Sequence, residues 1–175
     1  YLKNFGFKSE TEVVMPGTNA KMNELQALMG SQMLACIDQV IEKRRHIHES
    51  YKERLQNTPG IIFSPEPGPE ETFNYGYLPV RINEAEFGMS RDALYTRLRK
   101  HNVLARRYYY PLINEYDCYQ SVPVPNPIPI AKKAAEQILT LPVYPDLAEG
   151  DVHKICDIVL QAGNLASISL QQSEQ

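Results

Sequence analysis

Gly17-Thr18-Asn19-Ala20-Lys21-Met22-Asn23-Glu24-Leu25-Gln26-Ala27 carries a turn of the chain into the start of a helix. Asn23 is a strong N-cap residue, and Glu24 suits the positive end of a helix dipole. Gln26 stands three residues after the cap, where a capping-box partner belongs. Just ahead of that start, Asn19 and Lys21 place an amide and a cation beside backbone N–H groups, a set that suits an anion such as a phosphate. On the residues alone, a plain capped helix is the commoner meaning of such a stretch, and the phosphate reading stands open beside it.

The pattern stays helical from about residue 23 to 57. Met22, Leu25, Met29, Met33, Ile37, Val40 and Ile41 recur in steps of three and four, with Glu42, Lys43, Arg44 and Arg45 on the wet side. A continuous helix of that length would measure about 50 Å at 1.5 Å per residue. That is too long for a compact domain of this size, so it must bridge two domains, pack on another subunit or break partway. Asn57-Thr58-Pro59-Gly60 ends it.

Beyond the stop, the spacing predicts short strands at Ile61–Phe63 and at 75–82, the second containing Pro79 and therefore expected at an edge or bulge. Ser90 is placed to cap a helix reaching about His101, with Ala93, Leu94 and Leu98 on one face. A third strand is expected over 103–110, a proline-dense loop over 123–129, a helix over 130–139, an extended piece at 141–145 and a last helix over 151–162. Residues 163–175 read as a loose tail. Strands and helices mix without βαβ regularity, which predicts an α+β body with an antiparallel sheet over 58–162.

Composition excludes several classes. An apolar fraction of 43% and a charged fraction of 22% over 175 residues are those of an ordinary globular protein, and the net charge of -3 argues against nucleic acid or an anionic membrane as partner. No apolar run approaches the ~20 residues of a membrane span. Three widely spaced cysteines (Cys36, Cys118 and Cys156) suggest neither a disulfide framework nor a zinc site, and fit a reducing cytoplasm. The chain begins at Tyr1 without a methionine, which is what a fragment of a longer protein would show.

Two constellations bear on chemistry. His46-Ile47-His48 cannot share one metal ion on a helix, because residues two apart face different ways, so both imidazoles are expected on the solvated surface. Arg106-Arg107-Tyr108-Tyr109-Tyr110 is richer. In a strand, Arg106, Tyr108 and Tyr110 would share one side, and Arg107 and Tyr109 the other. Guanidiniums fork onto phosphates and aromatic rings stack on bases or sugars, which suits a nucleotide or glycosyl phosphate. An aromatic strand edge with arginines lying along it is the plainer meaning. A Gly-rich phosphate loop, an ordered Ser/His/Asp set, a paired-carboxylate motif and a lysine in a Schiff-base context are all missing.

Gly17-x-Asn19-x-Lys21-Met22-x-Glu24-Leu25-Gln26-Ala27 resembles the sugar aminotransferases of the DegT/StrS type, together with Ile41-Glu42-Lys43-Arg44-Arg45, Tyr51, Arg107-Tyr108-Tyr109-Tyr110-Pro111-Leu112 and Leu139-Thr140-Leu141-Pro142-Val143-Tyr144-Pro145. The likeness covers about residues 1–162. It implies a pyridoxal-phosphate enzyme of the aspartate-aminotransferase fold (fold type I), of which this chain would be the C-terminal part. Residues 1–22 would close the large cofactor-binding domain, 23–57 would form the linking helix, and 58–162 would form the small α+β domain. The resemblance places the Schiff-base lysine upstream of this chain, so no catalytic residue and no metal is expected here. It assigns Asn19, with Lys21, to the phosphate of the partner subunit's cofactor in a homodimer. It sets Arg106, Arg107, Tyr108, Tyr109 and Tyr110 toward the substrate. The reaction implied moves an amino group from a donor, usually glutamate, to a nucleotide-linked keto-sugar. Some relatives dehydrate the sugar instead, and a non-catalytic α+β ligand-binding domain is the reading outside the family. Ile113, where many members have histidine after Pro-Leu, points to the branch acting on 3-keto-6-deoxysugars.

Overall fold

The computed structural model describes residues 3, 8, 14–65, 68, 70–108, 110–115, 121–123 and 126–173, with side chains through Gly163. The chain divides into two compact units, Tyr1–Gln39 and Val40–Gln175.

The first unit is built around α1 (Glu24–Leu34). The capping box forms as the spacing predicts: Asn23 Oδ1 accepts from Gln26 N at 2.9 Å and Gln26 Oε1 accepts from Asn23 N at 3.1 Å. Ahead of it, Ala20 N donates to Lys3 O at 3.0 Å. Apolar residues lie all round α1 and none is buried. Leu25 and Leu34 are about 70% exposed, and Leu28, Met29 and Met33 stand at 57%. The long helical pattern breaks partway, one of the three outcomes its length allowed: it stops at Ala35-Cys36, and α2 (Ile37–Leu55) begins afresh. No proline or glycine marks the break. Ala35 N turns back to Ser31 O, and Cys36 N and Sγ both turn to Met33 O at 3.3 Å.

In the second unit, α2 buries Ile47, Tyr51 and Leu55, a four-residue repeat that is one face of a helix. Lys52 and Arg54 stand in its last turn, where cations complement the dipole. After Pro59, Gly60 takes a left-handed backbone with φ of 76°. A Cβ there would lie 2.4 Å from Phe87 N and 2.7 Å from Asn83 O, while Asn83 N donates to Gly60 O at 2.7 Å. Only glycine permits both the conformation and the approach.

The sheet is antiparallel with order β1-β2-β3: β1 (Ile61–Phe63), β2 (Leu78–Ile82) and β3 (Ile138–Leu141). β2 alternates as a half-buried strand should, with Leu78, Val80 and Ile82 in the core. It is the central strand, and the expectation that Pro79 marks an edge or bulge is corrected for a local reason. Pro79 pairs with Thr140, whose N–H and C=O are both bonded to Arg106 on the other side (2.7 and 3.0 Å). In an antiparallel ladder this makes Pro79–Thr140 a non-hydrogen-bonded pair, so no rung to β3 needs the missing N–H. Pairing with β1 reaches only from Val80 to Ile82.

Helices α3 (Glu84–Phe87), α4 (Arg91–Lys100), α5 (Pro129–Gln137) and α6 (Glu149–Ser173) complete the unit. α4 packs on α6 and β3, α5 lies on β2, and α3 meets α6. Ser90 Oγ caps α4 by accepting from Ala93 N, as the sequence predicts. The core gathers Leu94 and Leu98 of α4, Leu139 and Leu141 of β3, and Val152, Cys156 and Val159 of α6 around Tyr51 and Phe87. Burial pushes the Cys156 thiol up to about 11, leaving it a packed, protonated group.

Two further expectations are corrected. Among the described residues, the predicted strand over 103–110 is reduced to a single bridge, Arg106 to Thr140. The last helix continues beyond Ala162 to Ser173, through residues that read as a tail.

Gly60→Ala should destabilise the chain by about 3 kcal/mol, combining positive-φ strain with the clash against Phe87 N. Urea unfolding measures it, and a loss under ~1 kcal/mol would show that the turn relaxes freely.

Candidate functional site

The single bridge at Arg106 decides the geometry of the predicted arginine–tyrosine stretch. With no ladder beyond it, the side chains do not alternate as in a strand. Arg106 and Tyr108 do share a face: Arg106 Nη1 lies 3.5 Å from the Tyr108 hydroxyl, and the Tyr77 ring stands 5.2 Å from that of Tyr108. Tyr110 does not join them. Its ring lies with Arg91 and Arg107, whose guanidinium carbons are 4.6 and 5.3 Å from its centre. Arg107 also covers Tyr95 at 4.6 Å and pairs with Asp92 Oδ1 at 3.1 Å. Tyr109 lies outside the described residues.

Arg106, Arg107, Tyr108 and Tyr110 line an open hollow of about 450 Å³ with Tyr95, Arg99 and Leu104. Its walls are three arginines and three tyrosines, which matches a ligand with both an anionic and a flat or hydroxyl-rich part. The Tyr77 hydroxyl, hydrogen-bonded to Tyr108, and secondly the nearby Arg106 hold the Tyr108 phenol below the ordinary value of 10.0.

Tyr77 also reaches a second hollow of about 320 Å³. There His48, Phe73 and Tyr75 meet edge to face, with His48–Tyr75 and Phe73–Tyr75 centroids 5.1 and 5.0 Å apart. Tyr75 is held at φ 50°, an uncommon backbone for a bulky residue. His48 is therefore packed rather than solvated, correcting the surface expectation, whereas His46 is exposed. No group of three or more potential metal ligands occurs among the described residues. A third hollow, about 720 Å³, lies around His101, Tyr144, Asp151 and Lys154, and touches none of the predicted site residues.

In the first unit, Asn19 and Lys21 are both exposed just before α1. The Asn23 amide is committed to the cap. The amide of Asn19 and the ammonium of Lys21 stand exposed beside that cap, residue types whose chemistry suits a phosphate. Arg91, Tyr95 and Tyr77 were not singled out by the sequence. One signal was available: an arginine in the first turn of α4 opposes that helix's own dipole and needs another reason to be there.

The chain belongs to the DegT/DnrJ/EryC1/StrS aminotransferase family, whose model matches residues 1–160. It is 43% identical over 163 residues to a dTDP-4-amino-4,6-dideoxy-D-glucose transaminase of Escherichia coli, covering 91% of this chain and 43% of that protein. A transaminase of the same name from Shigella dysenteriae is 33% identical over 84% of this chain and 40% of its own length. The crystal structure of DesI in the presence of its TDP-sugar product superposes with a TM-score of 0.84 at 30% identity, over 98% of this chain and 44% of that one. The chain thus spans less than half the length of the relatives it matches. The predicted α+β architecture of fold type I holds, and the family is one of pyridoxal-phosphate enzymes. Both relatives carry their amine at carbon 4 by name.

If the Tyr77 hydroxyl and Arg106 acidify Tyr108 as the geometry shows, Tyr77→Phe and Arg106→Gln should each move its titration back toward 10.0, Tyr77→Phe by more. Tyrosine-labelled NMR reads this directly. A wild-type Tyr108 titrating at the ordinary value would contradict the contact.

Proposed function

We propose that this chain serves as the C-terminal part of a pyridoxal-phosphate-dependent aminotransferase that moves an amino group from glutamate to a nucleotide-linked keto-sugar. The product class is deoxyamino sugars for cell-surface polysaccharide, made in the cytoplasm by a homodimer without nucleic acid or membrane as partner. The observation that carries the reading is the hollow lined by Arg106, Arg107, Tyr108 and Tyr110, with the Tyr77 ring against Tyr108, in a chain 43% identical to a dTDP-sugar transaminase. Charge agrees, and no helix among the described residues is long and apolar enough to cross a membrane.

When bound, the cofactor supplies the electron sink that lets an amino group pass between donor and acceptor. The residues of this chain bind and orient. Asn19 donates its amide N–H to the phosphate held by the partner subunit, and Lys21 adds positive charge beside it. Arg106 faces the phosphates of the sugar nucleotide, and the hydroxyls of Tyr77 and Tyr108 meet sugar oxygens. Arg107 and Tyr110 form the adjoining wall, and Tyr109 belongs to the same segment. The lysine that holds the cofactor covalently lies outside this chain, in the large domain that residues 1–22 complete. Residues 23–57 link that domain to the small one at 58–162.

Two outcomes test this reading. Asn19→Ala in the full-length enzyme should weaken cofactor retention ten- to a hundred-fold, since losing one donor to a charged acceptor costs ~1.5–3 kcal/mol. Equilibrium dialysis against pyridoxal phosphate measures it, and unchanged affinity removes the phosphate role. Borohydride reduction of this chain alone with pyridoxal phosphate should leave no stoichiometric adduct by mass spectrometry. A specific adduct would place the covalent lysine within these residues.

A further inference from the structure

Arg91 is 3% exposed, the most deeply buried cation among the described residues, and its position needs a reason. It is the first residue of α4, where its charge faces the positive end of that helix. Burying a guanidinium also carries a desolvation penalty that a well-packed apolar residue would avoid. Part of the compensation is local. Nη1 donates to Ala135 O at 2.8 Å and Ile138 O at 3.1 Å, two carbonyls at the C-terminal end of α5 that otherwise lack helical partners. Nε lies 2.8 Å from Asp92 Oδ1 as an ion pair, though out of line for a hydrogen bond. Those contacts tie α4 to the start of β3, and a side chain without a flat guanidinium would serve them as well.

The remaining contact is specific to arginine. The guanidinium carbon sits 4.6 Å from the centre of the Tyr110 ring, and the same Asp92 oxygen that faces Arg91 also takes Arg107 Nη1. Arg107 in turn lies over both Tyr95 and Tyr110. Arg91 and Asp92 therefore hold two side chains of the segment that follows Arg106, where the only ladder contact among the described residues is the bridge to Thr140. We infer that Arg91 is a positioning residue for the substrate face: its buried guanidinium seats the Tyr110 ring and, through Asp92, the Arg107 side chain, setting the wall of the hollow that adjoins Arg106 and Tyr108. The inference rests on the proposed reading of Arg106 and Tyr108 as the sugar-nucleotide face.

The test uses the full-length enzyme and follows its two half-reactions separately. Glutamate-driven conversion of the cofactor is read by absorbance, and amination of the nucleotide keto-sugar by product formation. Arg91→Lys keeps the charge and a carbonyl donor but loses the plane. It should raise KM for the nucleotide sugar about tenfold while the glutamate half-reaction stays within about twofold of wild type. Tyr110 is 41% exposed, so Tyr110→Leu probes the same contact without entering the core and should give the same split. Tyr110→Phe, which keeps the ring, should rescue most of that loss. Because the two residues act as one unit, Arg91→Lys with Tyr110→Leu should be no worse than the poorer single variant. Loss of both half-reactions together in Arg91→Lys would show a purely structural role and overturn the inference. So would an unchanged nucleotide-sugar KM in either single variant, or effects that multiply. Arg106→Ala and Tyr108→Phe separate the two levels: if they too leave that KM unchanged, the reading of the face itself fails. If they raise it while the Arg91 and Tyr110 variants do not, only the inference fails.

Discussion

Thr140 bonds through both main-chain groups to Arg106, and much of the second unit follows from that one exchange. It sets Arg106 at the outer edge of β3, the first anchored residue of the arginine–tyrosine segment. It turns the facing Pro79–Thr140 pair into one without hydrogen bonds, which is why a proline is tolerated in the central strand. Leu78, Val80 and Ile82 can then run uninterrupted along the core. Among the described residues the bridge is solitary, so Arg107 and Tyr110 beyond it meet α4 through side-chain contacts instead of a ladder.

This division of labour explains why the polar face is half rigid and half adjustable in its construction. Arg106 is held by backbone, whereas Arg107 and Tyr110 depend on Asp92, Tyr95 and Arg91 of α4. Backbone anchoring tolerates side-chain exchange, and stacked contacts do not, because a ring or a guanidinium plane has no generic substitute. Tyr77, just ahead of β2, stands against Tyr108, whose hollow brings together α4 and the segment from Leu104 onward.

Local signals carried much of the fold. The Asn23–Gln26 capping box, the Ser90 cap and the stop at Pro59-Gly60 were all legible because each is written within four residues. The antiparallel α+β body was legible from the order of strands and helices. A break partway was among the outcomes read from the long helix's length, but its place, Ala35-Cys36, was not legible, since neither glycine nor proline stands there and the apolar period runs straight through it. The strand expected at 103–110 failed because β-propensity records how tyrosines fit a pleated surface, not whether a partner strand is long enough to pair. His48 read as solvated because its aromatic neighbours, Phe73 and Tyr75, lie a helix and a strand away. Arg91 was hidden for a similar reason: its partners at 135 and 138 are distant in sequence, and only its unfavourable place on α4 hinted at them.

The central claim is that one family-typical asparagine and one arginine–tyrosine face, carried on separate units of this chain, serve a cofactor and a sugar nucleotide. A crystal structure of the full-length protein with pyridoxal phosphate and a nucleotide-linked sugar tests it most directly. The account predicts the Asn19 amide within about 3 Å of the phosphate bound by the partner subunit, with Arg106 and Tyr108 in hydrogen-bonding reach of the nucleotide sugar. Asn19 turned away from any phosphate, or the sugar nucleotide bound away from Arg106 and Tyr108, would contradict it.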